Sequence, residues 1–368
     1  MRALTRHLYF HIPFCPKLCP YCSFYVEVGG KNKTYRFLDA LLREVEQSAP
    51  RLQPRTLYFG GGTPSALSCG QLEYLFRGLA GRLDLTALEE STLEANPATI
   101  GVEKAQLLRT AGVTRLSLGV QSWDDSLLKT LGRVHNAEQA EKTFVLLRNA
   151  GFDNMNIDLM FGVPGQTIAQ WRASLERTIA LRPEHISCYG LTYEEDTEYF
   201  RELQSGHFVQ DEEREIRLFE MTMDALTAAG YGHYEISNFA RSGFECRHNK
   251  AYWRGADYLG FGPSAFSTIG RRRWQNVPDT AEYTRRMLSG EAAASFEEAL
   301  TTKVRRGEKL AFGMRTRRGL AAATLQPWVQ ELREFEELGL IEHIGKRIVL
   351  TRRGKLMADA VGATFVAV

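Results

Sequence analysis

A regular alternation of short β-rich runs with amphipathic helical stretches, across residues 8–193, limits the fold more than any other feature of the chain. Strands are predicted at His7–Pro13, Thr56–Phe59, Ser91–Ala95, Arg115–Gly119, Asn156–Phe161 and His185–Leu191. Helices are predicted between them, near Tyr35–Gln47, Gly70–Leu79, Glu103–Ala111, Ala137–Ala150 and Ile168–Leu181. In the first helix Phe37, Leu38, Leu41, Leu42 and Val45 mark one face at helical spacing. Gly112 and Gly151 fall just after helices and before strands, where a left-handed residue ends a helix. Six β/α units in a row imply an α/β fold with a parallel sheet. Eight units would close a barrel. Six predict an open, partial (β/α)6 barrel, with later strands free to complete it.

Composition removes several classes. Charged residues at 24% and hydrophobic ones at 44% are ordinary globular values, which excludes a disordered chain or a coiled-coil rod. No apolar run approaches the ~20 residues that span a bilayer. The stretch Met1–His7 has no apolar core ending in small residues, so no secretory leader is expected and the chain reads as cytoplasmic. The net charge of +2 conceals an asymmetry: residues 247–368 carry 21 Lys and Arg against 13 Asp and Glu. That surplus suits either an anionic partner or a solvated basic surface.

After Leu191 the pattern changes. Tyr193–Tyr199 reads as an acidic loop, followed by a helix near Glu212–Ala229 and a segment dense in aromatics and glycine, Tyr231–Phe266. From residue 300 the order is helices, a strand at Gly339–Glu342, a turn at Gly345, a strand at Arg347–Thr351 and a helix at Arg353–Val361. This is the order of a small α+β winged-helix-like module. Such modules bind nucleic acid in some proteins and only pack on a neighbouring domain in others. Three regions are therefore expected: a barrel over 1–200, a linker and contact region over 201–299, and the C-terminal module over 300–368.

Three of the six cysteines, Cys15, Cys19 and Cys22, sit in one loop directly after the first predicted strand. That is the end of the strand where α/β barrels keep their chemistry. Thiolates are soft ligands suited to iron–sulfur clusters or zinc. A structural zinc site usually takes two ligand pairs, and no second pair follows downstream. Three thiolates would leave one iron of a 4Fe–4S cluster open, while zinc stays the alternative. Cys69 and Cys188 read as structural.

The spacing C-x3-C-x2-C after a strand resembles the radical S-adenosylmethionine (SAM) superfamily. The resemblance implies that the open iron binds the amino and carboxylate groups of SAM, which a reduced cluster can cleave to a 5′-deoxyadenosyl radical. It further implies that Gly61, Gly62 and Thr63, in the Gly-Gly-Gly-Thr-Pro run after the second strand, hold the methionine end of SAM. Glu94 and Gln121 end the third and fourth strands, Asp158 lies on the fifth, and Arg133 lies in a helical connection. Singly, each reads as a capping group or surface ion pair. Together they supply carboxylates, an amide and a guanidinium for the amine, ribose and carboxylate of SAM. Tyr9 packs either beside the cluster or as an ordinary strand residue.

The resemblance narrows further. Tyr-Phe-His-Ile-Pro-Phe-Cys, Gly-Gly-Gly-Thr-Pro-Ser, Gly-Val-Gln-Ser and Asp-Leu-Met-Phe-Gly-Val-Pro-Gly-Gln-Thr resemble the oxygen-independent coproporphyrinogen III dehydrogenase group. That group holds the decarboxylating enzyme and the HemW haem-chaperone branch. The enzyme has a fourth cysteine two residues after the third, where this chain has Phe24. The enzyme also carries an N-terminal extension, whereas the first strand here is expected about seven residues from the start. His248-Asn-Lys-Ala-Tyr252-Trp253 matches the H-N-x-x-Y-W motif of the chaperone branch. Histidine is a common haem ligand, Tyr252 and Trp253 offer flat apolar surface, and Arg247, Arg254 and Arg271–Arg273 can pair with propionates. The alternative is core packing of one histidine and two aromatics. Cys246 is a second soft ligand or an inert buried thiol.

The expectation is a cytoplasmic haem chaperone, also placed at the inner membrane face, that binds haem, a 4Fe–4S cluster and SAM and gives haem to an acceptor. A membrane respiratory protein is the candidate acceptor and a homodimer the candidate assembly. Two rivals stand beside it: the coproporphyrinogen III dehydrogenase itself, and a nucleic-acid-modifying radical enzyme, for which no RNA-binding motif speaks.

Overall fold

The computed structural model describes residues 4–366; the first three residues of the stretch read above for a leader, and the last two of the chain, lie outside it. Six strands run parallel in chain order: β1 (Thr5–Ile12), β2 (Leu52–Gly61), β3 (Glu90–Ala95), β4 (Arg115–Gln121), β5 (Met155–Phe161) and β6 (His185–Gly190). Their crossovers carry α1 (Lys31–Ser48), α2 (Cys69–Ala80), α3 (Val102–Thr110), α4 (Asp125–Thr130), α5 (Ala137–Asn149) and α6 (Ile168–Leu181). Local signals agree with these ends. Ser68 with Gln71, Asn136 with Gln139 and Thr167 with Gln170 each form a reciprocal capping box that starts α2, α5 and α6. Gly112 and Gly151 take positive φ, 85° and 90°, just past α3 and α5.

The strands alternate strictly. Leu8, Phe10, Leu57, Phe59, Leu93, Leu116, Leu118, Ile157, Leu159 and Ile186 are buried apolar residues. Between them stand His7, Tyr9, Thr56, Tyr58, Glu94, Ser117, Asn156, Asp158, His185 and Ser187. Parallel strands buried by apolar layers on both sides read as nearly continuous hydrophobic runs. Here only one face packs into the apolar core with the helices, and the other is polar. The polar face carries Glu94 and Asp158, two of the candidate site residues.

The sheet does not close. Residues 201–299, read above as a linker, instead supply strands to both edges of it. After α7 (Glu198–Gln204) and α8 (Glu212–Ala228), β7 (Gly232–Glu235) and β8 (Asn238–Ala240) extend the edge at β6 in antiparallel fashion. At the other edge β9 (Tyr258–Phe261) pairs parallel to β1, followed by antiparallel β10 (Phe266–Ile269), β11 (Arg272–Asn276) and β12 (Ala294–Ala299). The order is β12-β11-β10-β9-β1-β2-β3-β4-β5-β6-β8-β7, twelve strands in one open sheet. The short strands of the aromatic segment lack the length and period of the first six, so sequence alone hid them. Helix α9 (Arg247–Trp253) crosses from one edge to the other, and α10 (Thr280–Leu288) packs on α1.

The C-terminal module has its own apolar cluster, built on Leu310, Met314, Leu325, Trp328, Ile348 and Phe365. It comprises α11 (Thr302–Met314), α12 (Val329–Glu337), a three-stranded sheet of Leu320–Ala321, Ile341–Ile344 and Arg347–Leu350, and the helices Arg352–Leu356 and Ala358–Val366. The helix–helix–hairpin–helix order read from sequence is the one observed.

Candidate functional site

A cavity of about 440 Å³ opens at the C-terminal ends of the parallel strands. Its rim holds Cys15, Cys19 and Cys22, and its walls include Gly61, Gly62, Thr63, Glu94, Gln121, Arg133 and Asp158. Every residue read from sequence for cluster and SAM lines this one space, with the exception of Tyr9. Tyr9 stacks on Tyr58 with ring centroids 6.2 Å apart and places its hydroxyl 3.1 Å from His11 Nδ1. Its ring lies behind Tyr58, which lines the cavity.

The cysteine loop is held by the glycine run. Gly62 N–H donates to Ile12 O at 2.9 Å, and Thr63 N–H to Phe14 O at 2.9 Å. These bonds require the two segments to lie almost in contact. A Cβ on Gly62 would stand 2.8 Å from the carbonyls of Ile12 and Pro13, and one on Gly61 would meet the His11 ring at 2.5 Å. Gly61 also has φ of 100°, a region that side chains disfavour. The glycines are therefore fixed first by the fit of the two loops, and the Gly62 and Thr63 amides are already spent on it. Beyond them, Ser65 accepts the Asn96 N–H at 3.0 Å, tying the glycine loop to the end of β3.

The three thiols differ in surroundings. Cys15 Sγ lies 3.4 Å from Thr63 Oγ1, and Arg133 Nη1 donates to Cys19 Sγ at 3.7 Å. Burial pushes the Cys15 and Cys22 thiols above their ordinary range, so a bound metal would be needed to hold them as thiolates. Among the described residues no three His, Cys, Asp or Glu side chains gather closely enough to hold a single metal ion. A structural zinc site usually takes four protein ligands, whereas three thiolates leave one iron of a 4Fe–4S cluster open. The donor set of three thiols with no fourth protein ligand fits the cluster.

Two carboxyls face the cavity. Tyr58 donates its hydroxyl to Glu94 Oε1 at 2.7 Å, and burial pushes the Glu94 acid up to about 7 despite that bond. Asp158 accepts from Ser117 Oγ at 2.9 Å and from Asn156 Nδ2 at 2.7 Å, and burial raises its acid as well. A cationic ligand entering here would meet two carboxyls, one of them poised near neutrality. Gln121 ends β4 with φ of 68°, uncommon for a non-glycine residue, and its Oε1 is buried without a partner. Arg133 Nε is likewise buried and unpaired, although Nη2 donates to Gly119 O at 2.9 Å. An unpaired amide oxygen and a partly free guanidinium in one wall are groups that a polar ligand would satisfy.

Tyr58 and Tyr189 also line the space and escaped the sequence reading. The signal was available: Tyr58 is in phase with Gly60 on β2, and Tyr189 with Ser187 on β6. Phe24, in the position of the enzyme's fourth cysteine, stands 67% exposed at the lip of the cavity.

The H-N-x-x-Y-W residues form α9 but do not share one surface. Glu90, at the start of β3, accepts the backbone N–H groups of Arg247 at 2.9 Å and His248 at 3.1 Å, which anchors the helix across the N-terminal ends of the strands. His248 is only 9% exposed, with Nδ1 2.9 Å from Thr56 Oγ1. Tyr252 packs on Tyr258 and Phe312 beside a separate cleft, and Trp253 packs on Phe312 and under Arg315. Cys246 is fully buried against Glu90, and burial pushes its thiol up to about 12. Arg272 and Arg273 of the basic loop are tied to Glu297, Glu298 and Glu308.

Comparison with known proteins agrees with this geometry. Residues 9–178 match the Radical SAM superfamily and residues 300–357 the HemN C-terminal domain. The chain is 34% identical to the protein named heme chaperone HemW of Bacillus subtilis, over 97% of this chain and 98% of that one. It is 35% identical to the protein of that name from Mycobacterium tuberculosis, over 97% and 94%. The coproporphyrinogen III oxidase HemN of Escherichia coli, described as a radical SAM enzyme, superposes with a TM-score of 0.85 at 26% identity, over 99% of this chain and 90% of that one.

Proposed function

This chain belongs to the HemW family of radical SAM proteins, and from that premise we propose that it binds haem, a 4Fe–4S cluster and SAM and passes haem to an acceptor protein. The observation that carries the reading is the gathering of three thiols, two buried carboxyls and two unpaired polar groups around one cavity at the strand ends. Cys15, Cys19 and Cys22 would hold the cluster, which when bound supplies an iron with a coordination position open to the amino and carboxylate groups of SAM. Glu94 and Asp158 face a cationic amine or ribose hydroxyls. Arg133 and Gln121 offer donors and an acceptor to the rest of the ligand.

The relatives' names support haem as the cargo, and α9 is the segment through which this chain would meet it. Among the described residues no helix is long and apolar enough to cross a membrane. A membrane-bound respiratory haem protein is the acceptor to offer first in a transfer assay. Iron, acid-labile sulfide and haem measured on one anaerobic preparation test the reading, followed by transfer of haem to an apo-acceptor. Absence of haem binding under those conditions overturns it.

The likeness to HemN supports a second reading, oxygen-independent coproporphyrinogen III dehydrogenase. Phe24 argues against it, since a bulky exposed ring stands where the enzyme has its fourth cysteine. Anaerobic conversion of coproporphyrinogen III with SAM and reductant separates the two.

A further inference from the structure

We propose that His135, which does not line the cavity, is a positioning residue of the SAM site: its Nε2–H holds the Val120 carbonyl and so keeps Gln121 in the left-handed conformation that turns its amide into the cavity. The inference rests on the SAM reading above.

The end of β4 is irregular. Gly119 stands opposite Asp158 of β5 and Gln121 opposite Leu159, so Val120 is an extra residue with no partner on that strand. Such a bulge is rare between parallel strands, and bulges beside sites re-aim side chains. Residues opposite each other in a ladder point to the same face of the sheet. Leu159 is fully buried in the apolar core, and in register Gln121 would follow it there. Gln121 instead lines the cavity, and its φ of 68° supplies the turn. That region is disfavoured for a residue with a side chain, so the conformation persists only where its surroundings fix it. Room for the amide comes from Gly119, where a Cβ would stand 3.1 Å from Gln121 Nε2.

The surroundings that fix it are one short connection. Arg133 and His135 lie between α4 and α5, two residues apart, and both reach back to the bulge. Arg133 Nη2 donates to Gly119 O at 2.9 Å, and His135 Nε2 lies 3.0 Å from Val120 O. Two consecutive carbonyls of the irregular turn are thereby satisfied by side chains. The proton on His135 has one place: a carbonyl only accepts, so Nε2 carries the hydrogen. Burial with Arg133 nearby pulls this imidazole down to about 4, so the ring is neutral and Nδ1 is a lone pair. Nδ1 is buried without a partner. A buried ring nitrogen left unpaired costs the fold, and what the site gains in return is the hold of Nε2 on Val120. His135 is anchored in turn, because Asn136 beside it caps α5 and the Ala137 N–H donates to Asp125 at 2.8 Å.

The test is calorimetric titration of SAM into the anaerobically reconstituted protein. The samples are wild type, His135→Ala, His135→Leu, His135→Gln, Gln121→Gly, and His135→Ala and His135→Leu each combined with Gln121→Gly. Iron and acid-labile sulfide on each sample report an intact cluster. His135→Ala should weaken SAM binding roughly fivefold, as loss of one neutral hydrogen bond does. His135→Leu keeps bulk but lacks the donor; it should do the same, and it decides the matter if the Ala variant loses its cluster. His135→Gln, whose amide can reach the same carbonyl, should stay within about twofold of wild type. Glycine takes positive φ freely, so Gln121→Gly removes the amide without strain. In that background, loss of the donor should change SAM affinity by less than about twofold, because both changes act through one group. Donorless variants that weaken SAM by the same factor with and without Gln121, or that bind it as wild type does, would overturn the assignment. A wild type that binds no SAM defeats the SAM reading itself, whatever His135 does.

Discussion

The ring of His248 rests 5.1 Å from the ring of Tyr58, and the Tyr58 hydroxyl reaches 2.7 Å to Glu94. Residues Cys22 and His248 are far apart in sequence, yet one tyrosine separates the space beneath the cysteine loop from the helix of the H-N-x-x-Y-W motif. Tyr58 lies between the two mouths of the barrel. Its hydroxyl serves the upper one and the face of its ring packs against the lower.

That position makes Tyr58→Phe informative. Glu94 is held up at about 7 mainly by burial, with Asp158 pushing the same way and the Tyr58 bond, the Gly61 amide and Arg115 pulling it down. Loss of the Tyr58 hydroxyl removes a bond that favours the carboxylate, so the acid rises further. If ionised Glu94 receives the SAM amine, wild-type affinity increases as pH rises through about 7. Tyr58→Phe should shift that increase to higher pH and weaken binding roughly tenfold at neutrality, in line with one charged hydrogen bond. Calorimetry of SAM binding from pH 6 to 8 measures it. A flat profile in wild type removes Glu94 from the amine site.

The cluster assignment is tested by metal content. Replacing Cys15, Cys19 and Cys22 together by Ala should abolish both iron and acid-labile sulfide in an anaerobically reconstituted sample. Cys69, Cys188 and Cys246 should not compensate, because none of them lines the cavity. Stoichiometric zinc in the wild-type protein, with no sulfide, would instead select the zinc alternative.

A different carboxyl guards the fold. Glu44 on α1 accepts from Tyr283 at 2.6 Å, from Asn276 Nδ2 at 2.7 Å and from the Gly262 amide at 2.9 Å, joining α1 to α10 and the β9–β10 edge. Glu44→Ala leaves three buried donors unpaired and should cost about 3 kcal/mol in urea unfolding. Burial also holds this acid up at about 7, above its unfolded value. The stability it contributes through proton binding is complete below the ordinary carboxyl range and is lost as pH rises through 7. A wild-type midpoint that falls over that interval more steeply than that of Glu44→Ala confirms the sign; equal midpoints at all pH values refute the role.

Much of this was legible in the residues, and the reasons it stopped are physical. The six strands were visible because Leu8, Phe10, Leu57 and Phe59 alternate with polar neighbours, and α6 because Thr167 and Gln170 cap it. The residues read for cluster and SAM meet in one cavity because they lie on or just after the parallel strands. The lower mouth was not legible. His7 and Thr56 resemble any polar residues at the start of a strand, and only the parallel register of β1 with β2, His7 beside Thr56, brings them to one place. The strands β7 to β12 are short and their pairing is long-range, so neither period nor turn chemistry revealed that they complete the sheet. His248 on one side and Tyr252 with Trp253 on the other meet different neighbours, because α9 is wedged between the barrel floor and α11.

Two mouths on one barrel lead to a final prediction: haem binding survives loss of the cluster. The cysteine loop follows the C-terminal end of β1, while His7 stands near its beginning and α9 crosses the opposite end of the strands. The chemistry also differs, three thiols at one end and the imidazole and aromatic rings of α9 at the other. The triple cysteine variant should therefore bind haem with wild-type spectrum and affinity within about threefold, since sites that share no group behave nearly additively. An influence of SAM or the cluster on haem that is carried by Tyr58 must be reciprocal. Saturating SAM should change haem affinity in wild type by some factor, haem should change SAM affinity by the same factor, and Tyr58→Ala should bring both factors towards one. Haem titrations with and without SAM, on wild type and the two variants, make the comparison. Loss of haem in the triple cysteine variant alone would place haem at the cysteine mouth and favour the coproporphyrinogen reading instead.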